Sequence, residues 1–454
     1  MSDNSIDMIN GGLGRKIIKV ALPLAAISML QQLFNAADVA VVGRFGSENA
    51  LAAVGANVTI VNMFLTFFTG LSTGGNVCLS TLIGEGRTEK INRALHTIIS
   101  LSLISAFAVM ILGEILSRPL LIWMNTPENI LSQAELYLRI YIFAVMFAVV
   151  YNFAAAILRS VGDTKRPMYA LIASGILNII LNLIFVIGLK LDVAGVAIAT
   201  VISNFFCALM TVIFLVREKG FLKLDFKKLS LDRDTLTFTL RIGLPAGVQG
   251  SLFSISNMII QTGINSFGAD SIAGNTAAAN FEYITYFVVN AFGQTATTFV
   301  SQNFGAGKND RCRKVIGLSM AMSVGVSFVV GMTFLIFSRF FIGMFTSSEA
   351  VYKYAYIRMC LVTALEFLTA FNELGGAGLR GRGISLSPTI ISILGSCVFR
   401  IIWIHTVFAW LHTPKVLMLV YPVSWVFLGI AMMTAYFIVI RRECDSGDGS
   451  FVTF

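Results

Sequence analysis

The stretch LPLAAISMLQQLFNAADVAVVGRFG, residues 22–46, returns in altered form as LPAGVQGSLFSISNMIIQTGINSFG, residues 244–268. Both stretches begin with Leu-Pro and end with Phe-Gly, and Asn35 of the first matches Asn257 of the second. Each is mostly apolar and long enough for a helix that crosses roughly 30 Å of hydrocarbon. The pair predicts two related membrane helices, 222 residues apart.

The composition of the 454 residues points the same way. Hydrophobic residues make up 56% of the chain and charged residues 13%, whereas a water-soluble protein has about a quarter charged residues. This excludes a soluble enzyme. The net charge of +9 does not indicate a nucleic-acid partner, because most basic residues lie in short segments between apolar runs, where they orient membrane helices.

Cysteine and histidine spacings indicate neither a disulfide framework nor a metal site, and no cofactor is expected. The polar residues 1–14 lead directly into a full-length apolar run, so a cleaved signal peptide is not expected. Apolar runs then predict an all-α polytopic membrane protein of twelve helices, the longer of them tilted or extending beyond the bilayer. The predicted helices are residues 17–42, 50–82, 94–117, 134–158, 168–189, 193–215, 241–266, 272–303, 315–344, 354–379, 388–410 and 416–440.

Alternate connections between these helices hold 24 of the 33 basic residues. The positive-inside rule predicts that this side, with both termini, faces the cytoplasm. The membrane is expected to be the cell membrane of a bacterium or an archaeon.

The repeat extends through both halves, and turn glycines and prolines keep their register. It predicts an N-terminal six-helix lobe (1–216), a basic cytoplasmic linker (217–240) and a C-terminal lobe (241–454), related by an axis along the membrane normal around a central cleft. Further matches are Ser80, Gly84 and Gly86 with Ser301, Gly305 and Gly307; Tyr137 and Arg139 with Tyr356 and Arg358; and Gly162 and Pro167 with Gly383 and Pro388.

Two such bundles suit alternating access, so transport is the leading hypothesis. A phosphate-binding loop is absent from the sequence, since Gly307-Lys308 lacks both the upstream glycine and the following Ser or Thr. We therefore expect a secondary transporter driven by an ion gradient.

An intramembrane carboxylate is costly and usually functional. Asp38 shares one helical stripe with Gln31 and Asn35, while Asn178 and Asn182 in helix five, and Thr200 and Asn204 in helix six, repeat at i, i+4. Convergence of Asp38, Asn178, Asn182 and Thr200, with Asn35 and Gln31 nearby, would suit a hard cation, Na⁺ included, or a shared proton. Alternatively, Asp38 lies near the headgroups with Arg44, and the amides only pack helices.

The second half has no acidic residue at the position that matches Asp38, because the spacing of 222 falls on Ile260. Its carboxylates suggest a substrate role instead, although Glu282 at a helix end and Glu373 beside Arg380 also have structural readings. The candidates for the substrate cleft are Glu282, Glu373, Asn204, Gln249 and Asn257.

Several motifs together resemble the prokaryotic branch of the multidrug and toxic compound extrusion (MATE) transporters. The resemblance covers nearly the whole chain and implies export of organic cations or other xenobiotics in exchange for H⁺ or Na⁺. The motifs are Leu22-Pro23, Ala37-Asp38-Val39, Gly162-Asp163-Thr164, Gln302-x-x-Gly305-Ala306-Gly307 and Gly378-Leu379-Arg380-Gly381.

The resemblance also implies coupling roles for Asp38, Asn178 and Thr200. Two departures leave the coupling ion open. Many members of that branch carry an aspartate where this chain has Asn182, and a carboxylate pair of another branch is replaced by Phe253 and Thr369.

The sequence thus predicts an ion-coupled efflux transporter of drug-like or cationic small molecules, expected to be a monomer without a nucleic-acid partner. A flippase for a lipid or lipid-linked oligosaccharide is the alternative, but it would need a more basic cleft. A membrane enzyme would need clustered catalytic side chains facing one leaflet, which the sequence does not suggest.

The orientation is testable by cysteine labelling. Gly220→Cys, in the predicted linker, is expected to react with a membrane-impermeant reagent only after the cells are opened, because the basic segments stay in the cytoplasm. Labelling from outside intact cells would contradict the topology.

Overall fold

The computed structural model describes residues 5–47, 49–124 and 126–446, with only the backbone of residues 445 and 446. Twelve long helices follow one another in this part of the chain, which confirms the predicted all-α fold. They are α1 (Gly14–Phe45), α2 (Ala50–Glu85), α3 (Thr88–Trp123), α4 (Glu128–Ser160), α5 (Lys165–Gly188), α6 (Asp192–Val216), α7 (Arg233–Asn265), α8 (Ala269–Gly305), α9 (Asn309–Ile336), α10 (Glu349–Arg380), α11 (Leu386–Phe408) and α12 (Pro414–Ser446).

Ten of these helices are apolar and long enough to cross a membrane, counted over the described residues. The other two, α7 and α8, are as long but are interrupted by Asn, Gln, Ser and Thr side chains. A short helix, Ser338–Gly343, follows α9. It corresponds to the end of the predicted run 315–344, which the structure therefore breaks near Phe337.

The duplication inferred from sequence is visible in how the helices pack. In the first half, α4 packs against α2, α3 and α6, and in the second half α10 packs against α8, α9 and α12. These sets correspond member by member when the chain is shifted by six helices. The chain therefore contains two copies of one packing arrangement.

The chain divides into two compact units that exchange half-helices. Unit 1 consists of the described residues within 1–7 and 26–251, and unit 2 of those within 8–25 and 252–454. Helix α1 thus begins in unit 2 and ends in unit 1, and α7 does the reverse, each changing unit a few residues after its proline, Pro23 or Pro245. The predicted lobes kept both helices whole.

The connection between the two sequence halves is shorter than predicted, because α7 begins at Arg233, inside the predicted linker of residues 217–240. This connection is bound to the start of α3. The side-chain amide of Asn92 donates to the carbonyl of Phe221 at 3.1 Å, and the amide of Asp232 donates to the hydroxyl of Thr97 at 3.0 Å. Asp232 also accepts from the amide of Thr235, and this bond is the largest cause of a lowered pKa for Asp232.

Glycines permit a close crossing of α2 and α7 within unit 1. Gly70 and Gly74 of α2 face Gly243 and Gly247 of α7, and both pairs are four residues apart. A methyl group at Gly74 would overlap the backbone carbonyl of Thr239, which cannot rotate away. Small residues at this spacing let membrane helices approach to backbone contact.

Gly74→Ala should therefore destabilise the protein by about 1–3 kcal/mol, because the added carbon must push two backbones apart. Gly55→Ala on the same helix is the matched control, since the new carbon would have no atom of another helix within 4 Å. Thermal unfolding of the detergent-solubilised variants measures the difference. Equal unfolding temperatures for the two variants would contradict the close crossing.

Candidate functional site

Asp38, on the membrane-spanning helix α1, is buried inside unit 1, with 7% of the residue exposed. The side-chain amide of Asn182 on α5 donates to its Oδ1 at 2.5 Å. The hydroxyl of Thr200 on α6 lies 3.2 Å from its Oδ2, where it can donate. Both carboxylate oxygens therefore have a neutral donor, each from a different helix.

A second layer of bonds links the donors to one another. Asn182 Nδ2 also donates to Asn178 Oδ1 at 3.2 Å, and Asn178 Nδ2 donates to Thr200 Oγ1 at 3.4 Å. Thr200 lies 2.9 Å from the carbonyl of Val196 as well, so its single proton serves one acceptor at a time. The predicted convergence of Asp38, Asn178, Asn182 and Thr200 is thus present in the structure.

The local backbone explains how α5 presents two asparagines to α1. Asn178 and Asn182 are one turn apart on one face, and a π-helical segment, Leu183–Gly188, begins directly after Asn182. Such segments often lie at functional sites in helices. One turn before Asn178, Gly175 faces the ring of Phe34, and any side chain there would overlap that ring. Gly175 therefore lets α1 approach α5 closely enough for Asp38 to reach both asparagines.

The atoms of this site are suited to a cation. The carbonyl oxygen of Asn182 is buried and has no hydrogen-bond partner among the described residues. The side chains of Asp38, Asn178, Asn182 and Thr200 all carry oxygen atoms, the ligand type that hard cations prefer, and the carboxylate can equally accept a proton. None of the ion pairs in the described part of the chain provides Asp38 with an Arg or Lys partner.

Two members of the predicted stripe do not join the cluster. The side chains of Gln31 and Asn35 are exposed, although they share a face of α1 with Asp38. Arg44, the alternative partner of Asp38 near the headgroups, instead has its guanidinium 6.0 Å from the ring of Phe45. The structure thus places Asp38 in the interior of unit 1.

In unit 2 the predicted substrate residue Glu282 is buried and paired with an arginine. Arg358 Nε donates to Glu282 at 2.7 Å, and Arg358 Nη1 donates to Asn275 at 3.3 Å. The guanidinium groups of Arg358 and Arg400 lie 5.4 Å and 4.7 Å from the centre of the Tyr421 ring. Glu282 therefore belongs to a buried ionic cluster, thirteen residues after the start of α8 rather than at its end.

The remaining substrate candidates also have partners or are half-buried. Asn257 accepts from Arg400 at 3.0 Å, Asn204 donates to the carbonyl of Ala144 at 3.2 Å and so packs α6 on α4, and Glu373 lies 3.8 Å from Arg380. Gln249 is half-buried on α7 in unit 1. These observations support the structural readings of Asn204 and Glu373.

Three residues of unit 2 that had no predicted role, Arg358, Arg400 and Tyr421, lie around Glu282 and Asn257. The presence of both arginines and carboxylates within the predicted helices of the second half was the available signal that such residues pair with one another. Glu366 is also buried, and its Oε2 has no hydrogen-bond partner among the described residues.

Comparison with known proteins gives a consistent result. A family model described as MatE matches residues 23–184 and 245–405, one segment in each half. The probable multidrug resistance protein YoeA of Bacillus subtilis (strain 168) is 26% identical over 380 residues, 82% of each chain. The probable multidrug resistance protein NorM of Thermotoga maritima is 25% identical over 394 residues, 85% of this chain and 84% of that protein.

Among solved structures, a crystal structure of MATE in complex with MaL6 has the same fold. Its TM-score is 0.91 at 20% identity, with 98% of this chain and 100% of that chain covered. At this identity the likeness shows the fold alone.

The bond from Thr200 to Asp38 can be measured by a double-mutant cycle. Thr200→Val keeps the shape but removes the donor, so it should cost about 1–3 kcal/mol of the free energy of unfolding. In an Asp38→Ala background the cost should largely vanish, and Thr200→Ser, which keeps the hydroxyl, is the matched control. Effects of the two substitutions that add within about 0.5 kcal/mol would contradict the bond.

Proposed function

We propose that this chain, which belongs to the MatE family of transporters, exports organic cations and other xenobiotics in exchange for H⁺ or Na⁺. The names of the relatives YoeA and NorM, each called a probable multidrug resistance protein, support the substrate class. The oxygen site around Asp38 supports ion coupling. We also propose that it lies in the cell membrane as a multi-pass protein, that both termini face the cytoplasm, and that it acts as a monomer.

The observation that carries the proposal is a buried carboxylate whose partners are neutral. A charge held in a low-dielectric interior costs free energy unless a proton or a cation neutralises it. The donors Asn182 and Thr200 offset only part of that cost. Asp38 therefore favours an exchangeable cation, whereas Glu282 has a permanent one in Arg358.

Coupling requires that ion and substrate favour different access states. A ligand shifts a conformational equilibrium only by its differential affinity for the two states. In the proposed cycle, an ion enters from outside and neutralises Asp38, which stabilises one arrangement of the two lobes, and its release to the cytoplasm stabilises the other. Substrate then binds from the cytoplasm, and it leaves from the outward-open arrangement before the next ion binds.

Asp38→Asn should abolish export driven by an imposed proton or sodium gradient, because the amide keeps the shape but cannot change its charge. Uptake of a fluorescent cationic drug into proteoliposomes, with each gradient imposed separately, measures this. The exposed Asp270→Asn is the matched control and should transport normally. Wild-type transport by a well-folded Asp38→Asn protein would move the coupling site to the second half, where Glu366 is the remaining candidate.

We further propose that Glu282 governs substrate selection rather than coupling, because it already has an ionic partner in Arg358. Glu282→Gln should change the ratio of transport rates for cationic and neutral substrates and leave the gradient dependence intact. Glu349→Gln, which removes the carboxylate of an exposed pair with Arg339, is the control. An equal loss for all substrates, with substrate binding retained, would assign Glu282 to coupling instead.

A further inference from the structure

Four charged side chains form an alternating cluster near one end of α3 and α4. Arg139 lies 2.9 Å from Glu135 and 3.5 Å from Glu114, and Arg118 lies 2.9 Å from the other oxygen of Glu135. Arg118 and Arg139 remain about half exposed, so both guanidinium groups have donors to spare. The cluster holds two positive and two negative charges and is neutral overall.

This cluster lies on the outer face of unit 1, away from the Asp38 site. Tyr137 and Tyr141, which flank Arg139 at two residues on either side, are buried, and residues two apart point to opposite faces of a helix. Helix α4 has 33 residues, so it is about 50 Å long and exceeds the roughly 30 Å of hydrocarbon. Glu135 and Arg139 lie within about 17 Å of the start of α4 along its axis, so a long arginine side chain there can extend toward the headgroups.

A groove of about 240 Å³ adjoins the cluster. Its surface is almost entirely apolar: the carbon atoms of Glu114 and Arg139 border it next to the charged cluster, and α4 and α6 contribute the remaining apolar side chains. The volume is below the roughly 300–1,000 Å³ of sites for drug-sized ligands, and the groove faces the outer surface of the unit. It therefore fits part of a chain-like apolar molecule better than a whole drug. The apolar lining consists of Ile140, Phe143, Ile198 and Val201.

We propose that this groove binds one acyl chain of a membrane phospholipid whose headgroup is zwitterionic and carries a primary ammonium, as in phosphatidylethanolamine. Its phosphate would accept hydrogen bonds from Arg118 and Arg139, and its ammonium would donate to Glu114 and Glu135. A purely anionic headgroup would meet two carboxylates with like charge. A choline headgroup has no N–H to donate, so it would bind the carboxylates more weakly.

The internal repeat shows that packing alone does not require this cluster. The residue that matches Arg139 in the second half is Arg358, which is buried and paired with Glu282. The same spacing carries Glu135 onto Tyr354. One repeat position thus faces a buried carboxylate in unit 2 and an open groove in unit 1. Ile198 and Val201 also flank Thr200, so a lipid in the groove would pack against the turn of α6 that reaches Asp38.

The test is lipid retention by the full-length protein in nanodiscs that contain equal amounts of phosphatidylethanolamine and phosphatidylcholine. Native mass spectrometry of the released protein counts each lipid. We expect roughly threefold to tenfold preferential retention of phosphatidylethanolamine, the range typical of one or two charge-assisted hydrogen bonds at a partly exposed site. Equal retention of the two lipids would overturn the proposal.

Two variants separate the headgroup from the groove. Glu114→Gln removes a charged acceptor for the ammonium, and Val201→Trp fills the groove without touching a charge, so each should sharply lower the preference. Arg339→Gln, which alters another exposed ion pair, should leave it unchanged. If Glu114→Gln does not fold, Arg139→Gln replaces it and should lower the retention of both lipids, because it removes one of the two phosphate donors. A preference that survives both cluster and groove variants, or a stronger retention of phosphatidylglycerol, would contradict the assignment.

Discussion

The function proposed for this chain depends on one buried carboxylate whose hydrogen-bond donors are neutral. Asp38 accepts from Asn182 and Thr200, while the buried Glu282 of unit 2 is paired with Arg358. A fixed arginine satisfies a carboxylate permanently, and neutral donors do not. The difference separates a group that holds structure together from one that exchanges a cation during a transport cycle.

The two halves share one helix packing, but they differ in the residues that could bind an ion. The position that matches Asp38 is Ile260, which is fully buried in an apolar cluster of unit 2 with Phe408 and Trp425. A position that is interior in both copies thus carries a charge in only one of them. The exchange of half-helices at α1 and α7 means that the helix carrying Asp38 begins in unit 2. The segment of α1 in unit 2 is therefore continuous with the segment that carries Asp38, and a movement of the first can be transmitted along the helix to the second.

Much of this could be predicted from sequence, because length, hydropathy and spacing are local properties. The i, i+4 spacing of Asn178 and Asn182 and the cost of an intramembrane carboxylate were enough to assemble the site. The pairing of Glu282 with Arg358 was not predicted, because hydropathy and spacing do not show which charged residues of different helices meet. The exposure of Gln31 and Asn35 was also missed, because a helical stripe shows which face is polar but not where along the helix burial ends. Hydropathy likewise does not reveal which unit a half-helix joins.

The central claim is that substrate and ion are linked through Asp38, and equilibrium binding tests it most directly. The affinity of the purified protein for a cationic drug is measured across a pH series and a sodium series. Linkage is reciprocal, so an ion that changes access must change drug affinity. We predict that the wild-type affinity varies with one of the two ions and that the Asp38→Asn affinity varies with neither. Full retention of that dependence in the Asp38→Asn protein would contradict the account.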